Sequence, residues 1–415
     1  MKPFRQIALL TAAMLLLSAA GCGKKEDSQM QDSSSQSTWS MADPSLNLPT
    51  LNLGHTTEDM IRRAVVNPGN TARLADAMKR AQAGEKITIG TIGGSITQGT
   101  AACTTDERYA NRALQWWAKA FPKAQLDFVN AGIGATDSYI GVHRVDADLL
   151  SKKPDVVIVE FSVNDTDAAL NLQTYDSLVR KILQAENHPA VILLFTTQED
   201  GTSLQDTHMQ IGSAYNLPMI SYKNAVLPEI EAGKFTWKDI SPDNIHPNSV
   251  GHGIIGELLW SYFNSVYAKL DQINTSDLTF TATPVTKDLY AKGQLLDSKT
   301  LTPKTMQGFE QAELSNQFPN DWTTKEGGEL TFEVTGSNIG VLYYKTVDGK
   351  SGQYCVYVDD RLIQVLDGDF TGGWGNYAQA QQVYTSDTPS THTVTIKQLE
   401  GTDLTQFTVL GLLVS

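Results

Sequence analysis

Between residues 51 and 270, nearly continuous apolar runs alternate with segments of helical period, and this restricts the fold more than any other feature of the chain. The runs at 86–92, 155–161 and 190–195 are apolar on most successive residues, so neither face of such a strand can stay in water. Strands of this kind belong in a parallel sheet covered on both sides. Shorter runs at 125–129 and 218–221 bring the number of strands to five. Helical patterns fall at 73–83, 109–121, 172–185, 203–215 and 250–270, with Gly84 and Pro122 ending the first two. The alternation predicts an α/β unit over 51–270, with helices on both faces of one sheet.

The pattern changes after residue 270. Segments 328–334, 354–358 and 391–396 alternate with period two and are separated by Gly, Asp and Asn turns, with Asp359-Asp360 a candidate hairpin tip. Residues 271–415 therefore read as an all-β sandwich, jelly-roll-like. Trp322 and Trp374 fall in or beside its turns; each could stack on a sugar ring or belong to a core or domain interface.

The N-terminus reads as a targeting segment. Lys2 and Arg5 precede an apolar run from Ile7 to Leu17, too short to span a bilayer, and then Ala19-Ala20-Gly21-Cys22. This ending resembles a bacterial lipoprotein cleavage site, with residues 1–21 the signal and Cys22 the lipid-bearing residue; the alternative is an ordinary secretory signal. The polar, Ser/Gln-rich stretch that follows makes 22–50 a flexible tether and places the protein in a bacterial cell envelope, outside the cytoplasm. A formal charge of −14 argues against nucleic acid as a partner. The remaining cysteines, Cys103 and Cys355, show no metal-type spacing and read as buried small hydrophobes.

Four segments carry chemistry: Gly93-Gly94-Ser95-Ile96-Thr97, Asn130-Ala131-Gly132-Ile133-Gly134-Ala135, Ser162-Val163-Asn164-Asp165 and Asp243-Asn244-Ile245-His246. Each follows a predicted strand, and ligand sites in open parallel sheets form beyond the carboxyl ends of the strands. Ser95 lies behind two glycines at a strand-to-helix turn, where free amides can hold a negative oxygen; alone, it could equally be a helix N-cap. The Asn164 amide can donate to a developing oxyanion. Asp243, three residues before His246, can hold one imidazole nitrogen while the other takes a proton from Ser95. Asp165 reads as structural. His252, His143 and His208 read as helix residues, and His55, His188 and His392 as surface or loop residues. The histidines lack a ligand pattern, so no metal site is assigned.

In order and spacing the four segments resemble the SGNH (GDSL-type) serine hydrolase family over roughly residues 80–268. The resemblance implies a flavodoxin-like, three-layer fold with five parallel strands and an acyl-enzyme mechanism that needs no cofactor. It implies Ser95 as nucleophile, His246 and Asp243 as its acid–base pair, and oxyanion donors from the Ser95 amide, the Asn164 side chain and a glycine of the second segment. Gly134 is the candidate for that glycine, with Ala135 the alternative. Ser162 stands where the family writes glycine, a departure from the pattern.

The family includes carbohydrate acetylesterases, lysophospholipases, thioesterases and lipases. A surface lipoprotein with a β-sandwich beside the hydrolase is similar to bacterial polysaccharide deacetylases, so the expected partner is an acylated glycan, most simply an O-acetylated one, or a small ester. The alternatives are another acyl esterase, such as a lysophospholipase, or a non-catalytic glycan-binding lipoprotein.

Overall fold

Five parallel strands form the centre of the first part of the molecule, and a sixth, antiparallel strand extends it. The structure, a computed structural model, describes residues 39–43, 45–373 and 375–415. The expected leader 1–21, Cys22 and Trp374 lie outside the described residues.

The chain enters through α1 (Glu58–Ala64) and β1 (Val65–Asn67). It continues through α2 (Ala72–Gln82), β2 (Lys86–Gly93), α3 (Ser95–Gln98), α4 (Tyr109–Ala120) and β3 (Gln125–Gly132). Next come α5 (Ser138–Asp148), β4 (Val156–Glu160), α6 (Ala168–Leu183), β5 (Ala190–Phe195), α7 (Gln205–Ala214) and β6 (Met219–Ser221). Helices α8 (Tyr222–Glu231), α9 (Trp237–Ile240) and α10 (Ser249–Tyr267) close this part. The sheet order is β1-β6-β5-β4-β2-β3, so the five parallel strands run second, first, third, fourth, fifth. That is the flavodoxin-like order, with its switch point between β2 and β4. Strand β1 pairs antiparallel with β6; at three residues it is too short to show a period.

The buried faces explain the layers. Strands β4 and β5 are buried at every residue. On one side, α2, α4, α8 and α10 supply Leu74, Trp116, Trp117, Ala225 and Leu258 to a core against the sheet. On the other, α5, α6 and α7 supply Val142, Leu178 and Ile211. Side-chain caps start several of these helices: Asp137 for α5, Asp167 for α6 and Asn248 for α10 accept backbone N–H bonds from the first turn.

Nine antiparallel strands follow: β7 (Gln294–Leu296), β8 (Thr305–Gln307), β9 (Glu310–Ala312), β10 (Asp321–Thr324), β11 (Glu329–Lys345), β12 (Gln353–Val358), β13 (Arg361–Asp367), β14 (Tyr377–Gln398) and β15 (Phe407–Val414). Seven of them form one hydrogen-bonded path, β13-β12-β14-β11-β15-β10-β9, with β7 paired to β15 and β8 to β11; the long β11 and β14 run through both halves of the resulting sandwich. The ladder between them breaks register between Gly336 and Asn338; before the break β11 also pairs with β8, and after it with β15. The two halves enclose a core containing Trp322, Phe332, Val341, Tyr354 and Ile396. Trp322 is fully buried, its ring 4.9 Å from that of Phe332, so it is a core residue. Asp359 and Asp360 both have positive φ (51° and 64°) at the tip joining β12 to β13, as a two-residue hairpin turn requires.

Three expectations are corrected. Cys103 is exposed, and only Cys355 is buried. His392 is not a surface residue: it is buried on β14. Within the expected tether, Trp39 and Pro49 contact α10, with Trp39 Nε1 donating to Ser265 Oγ (3.1 Å) and Asn264 Nδ2 to the Pro49 carbonyl (2.9 Å).

Candidate active site

The strand ends of β2 and β4 meet in register, Gly93 opposite Glu160, and the turns that leave them bring Ser95 and Asn164 together at the switch point. Space explains the glycines before Ser95. A Cβ on Gly94 would lie 2.1 Å from Asn164 Oδ1, and one on Gly93 2.3 Å from the Glu160 carbonyl oxygen. The nucleophile turn therefore sits directly on the β4 exit. Gly94, not Ser95, is the N-cap of α3, and the serine hydroxyl is turned elsewhere.

It meets His246: Ser95 Oγ is 2.8 Å from Nε2. His246 Nδ1 is 2.8 Å from Asp243 Oδ2. A carboxylate can only accept, so Nδ1 carries the proton and Nε2 is free to accept from the serine. The other Asp243 oxygen accepts the amides of Ile245 (2.8 Å) and His246 (2.7 Å). Partial burial pushes the Asp243 carboxyl up, but the His246 and Ile245 amides and the imidazole outweigh it and hold the group below the usual range, hence ionised at neutral pH. The turn is also held from behind. Trp237 Nε1 donates to the Asp243 carbonyl (2.6 Å), and Ser241 Oγ lies within hydrogen-bond reach of the carbonyls of Asp243 (2.7 Å) and His246 (2.6 Å).

The second segment contributes Gly134, where a Cβ would lie 3.0 Å from Gln98 Oε1 and 3.9 Å from Ser95 Cβ. Ala135 next to it takes the left-handed conformation, φ 59°, that glycine adopts more readily. Gly134 thus lies beside the serine, and Ala135 follows it in the same turn. Asn164 Oδ1 is buried without a partner against Gly94. Ser95, Gly134, Asn164, Asp243 and His246 are all brought to one site.

Ser162 has a physical role despite departing from the glycine of the pattern. Its hydroxyl accepts the Thr196 N–H (2.7 Å), tying the β4 exit to that of β5. Asp165 is structural: it accepts the Ser138 amide (2.7 Å) and contacts His208 Nε2 (2.8 Å), whose ring stacks on Tyr175 at 3.7 Å. His252 lies between the Tyr109 amide and the Thr100 carbonyl, its pKa lowered to about 4 by burial, so it is neutral and structural.

Two buried ionisable groups beside the nucleophile turn were not singled out from sequence. Glu160 lies under the nucleophile turn, accepting from Thr196 Oγ1 (2.7 Å) and Thr97 Oγ1 (3.1 Å); burial raises its pKa to about 7. Its signal was a carboxylate inside an apolar strand run. Arg144 on α5 is 1% exposed and reaches the carbonyls of Ala131 (2.7 Å) and Gly93 (3.0 Å). An arginine inside a helix pattern gives no such signal.

A second Ser–His–Asp chain lies in the all-β part: Ser390 Oγ is 2.7 Å from His392 Nε2, and His392 Nδ1 2.7 Å from Asp359 Oδ2. Ser390 sits on strand β14 opposite Gly336, not at a strand-to-helix turn with free amides. The distances alone therefore do not distinguish the two sites; the surrounding donors do. A groove of about 1090 Å³ beside Phe309, Lys325 and Lys397 is lined by none of the residues around Ser95. Among the described residues no group of three His, Cys, Asp or Glu side chains is placed to hold a metal.

Residues 91–254 match the model of the GDSL-like Lipase/Acylhydrolase family. A crystal structure of a two-domain esterase active on acetylated mannans, co-crystallized with mannopentaose, is similar at 33% identity and TM-score 0.78, covering 86% of this chain and 97% of that one. A second structure of a two-domain esterase active on acetylated mannans gives 33% identity and TM-score 0.76, covering 86% and 98%. No curated protein matches the chain.

Proposed function

Because this chain belongs to the GDSL-like lipase/acylhydrolase family, a family of esterases, we propose that it removes O-acetyl groups from acetylated mannan through a serine acyl-enzyme. The observation that carries the substrate is the extent of the likeness: it spans 97% of a two-domain esterase active on acetylated mannans, β-part included.

In the proposed mechanism His246 Nε2 takes the Ser95 proton as Oγ attacks the acetyl carbonyl. The new oxyanion is held by the amides of Ser95 and Gly134 and by the Asn164 side chain. Asp243 keeps the imidazole in the required tautomer and stabilises its charged form. The intermediate collapses, His246 hands the proton to the departing sugar hydroxyl, and acetyl-Ser95 remains. Water, deprotonated by His246, then releases acetate and restores the serine. The same reading includes a lipid on Cys22 that holds the enzyme at the cell envelope; loss of acyl-chain labelling in Cys22→Ser would support it, and unchanged labelling would refute it.

The test is acetate release from acetylated mannan, acetylated xylan and an aryl acetate, beside Ser95→Ala and His246→Ala. Serine-dependent release from mannan is expected. Release from the aryl ester alone would refute the polymer substrate and turn attention to other acyl esters.

A further inference from the structure

Helix α5 is buried on all sides through eight consecutive residues, Ser138 to Val145. A helix of this kind lies between two bodies, not on a surface. One body is the parallel sheet. The other is the all-β part: Tyr139, Ile140 and Val142 share a single apolar cluster with Leu342, Ala378, Leu410 and Leu413 of β11, β14 and β15.

The contact with the all-β part is tight. A Cβ on Gly340 would lie 2.1 Å from the Tyr139 hydroxyl oxygen, which is itself buried without a partner. The rings of Tyr139, His143 and Tyr290 pack edge to face at 5.0, 5.8 and 5.9 Å, and Gln382 Nε2 donates to the Tyr290 hydroxyl (2.7 Å).

Toward the sheet, α5 presents Arg144. One guanidinium nitrogen donates to the Ala131 carbonyl (2.7 Å), three residues before Gly134. The other donates to the Gly93 carbonyl (3.0 Å), two residues before Ser95, and lies 3.4 Å from Thr136 Oγ1. Asp148 on the same helix balances the charge (2.9 Å). A planar fork that spans two strand ends fixes their spacing, which a lysine cannot do.

We propose that the all-β part completes the catalytic unit by seating α5. The seated helix fixes Arg144, and Arg144 sets the spacing between the Ser95 turn and the Gly134 loop. Arg144 is a positioning residue, and the all-β part acts on every ester the site turns over, including those too small to touch it. The proposal rests on the assignment of Ser95 and Gly134 given above.

The test uses the full chain with 4-nitrophenyl acetate and acetylated mannan. It compares wild type, Arg144→Lys, Gly340→Ala, and Gly340→Ala combined with Tyr139→Phe. Melting temperature and circular dichroism establish that each is folded. Misplacing reacting groups by about an ångström lowers rates on the order of 100-fold. Gly340→Ala is therefore expected to lower kcat on the aryl ester by about that factor with KM within twofold, and Arg144→Lys by about tenfold with KM unchanged. Removing the Tyr139 hydroxyl takes away the 2.1 Å collision and leaves the ring carbon at 3.1 Å and the Gln381 carbonyl at 3.2 Å, contacts that a small ring shift relieves, so the double variant should recover tenfold or more. A folded Gly340→Ala with wild-type kcat on the aryl ester, or one impaired on mannan alone, would overturn the proposal. Should Gly340→Ala not fold, Leu410→Ala loosens the same contact without a collision and is read by the same criteria. A wild type inactive on every ester would count against the esterase reading instead. In that case hydrogen exchange at the Ile133–Thr136 amides still decides the inference: faster exchange in Gly340→Ala or Leu410→Ala supports it, unchanged exchange overturns it.

Discussion

Replacing Glu160 with glutamine should make the protein's stability less dependent on pH, and the size of the change follows from the site. Glu160 is fully buried at the end of β4. The hydroxyls of Thr196 and Thr97 donate to it, and the Tyr109 hydroxyl lies 2.7 Å from Thr97 Oγ1. Two hydroxyl donors do not replace the water lost by a carboxylate, so burial dominates and raises the pKa from 4.5 to about 7. A carboxyl raised in the folded state binds its proton more tightly there than in the unfolded chain. Its contribution is fully present below pH 4.5 and is lost as pH rises toward 7. At 1.36 kcal/mol per pH unit the whole loss is about 3 kcal/mol, of which about 2.5 kcal/mol falls between pH 5 and pH 8. Glutamine has no proton to lose, and its amide can bond both threonine hydroxyls. Asp137, also raised to about 7 by burial and by Asp165, titrates in both proteins and cancels in the comparison. Urea unfolding at pH 5, 6, 7 and 8 is the assay: Glu160→Gln should gain about 2.5 kcal/mol on wild type across that range. Parallel pH profiles would refute the reasoning and mean that Glu160 is ionised in the folded protein at pH 5.

Asn164→Ala should lower kcat on an aryl acetate about 100- to 1000-fold with little change in KM, measured under saturating substrate, because one oxyanion donor is lost. Ser95→Ala should abolish labelling by a fluorophosphonate probe even though the Ser390–His392–Asp359 chain is intact; peptide mapping would locate any adduct on Ser390 and count against the importance of the oxyanion donors. Ser162→Gly removes the partner of the Thr196 amide and should destabilise by about 1 kcal/mol in urea titration, in spite of restoring the glycine of the family pattern.

The four segments were legible because their chemistry is local. Asp243 reaches His246 through a three-residue turn, and glycines at 93 and 94 mark a place where a backbone must approach another. The central strands β4 and β5 were legible because burial on both faces forces apolar residues at nearly every position, whereas the edge strand β3 is mostly half-buried and gave a shorter run. Strand β1 was not, since its three residues show no period and it exists only through its pairing with β6. Helix α5 was read only at His143, and its extent escaped for the opposite reason: a helix buried all round over Ser138 to Val145 has no polar face to give it a period.

Sequence by itself determined the two kinds of unit, the five parallel strands of the first sheet and the four segments that meet at the candidate site, each through a pattern confined to neighbouring positions. The tertiary structure decided everything that joins distant segments. It set Gly134 beside the serine, gave Ser162 its partner on β5, and buried Trp322 and His392. It set Glu160 beneath the nucleophile turn and Arg144 across two strand ends. Those contacts depend on distances between segments dozens to hundreds of residues apart, and such distances exist only once the sheet and its covering layers have packed.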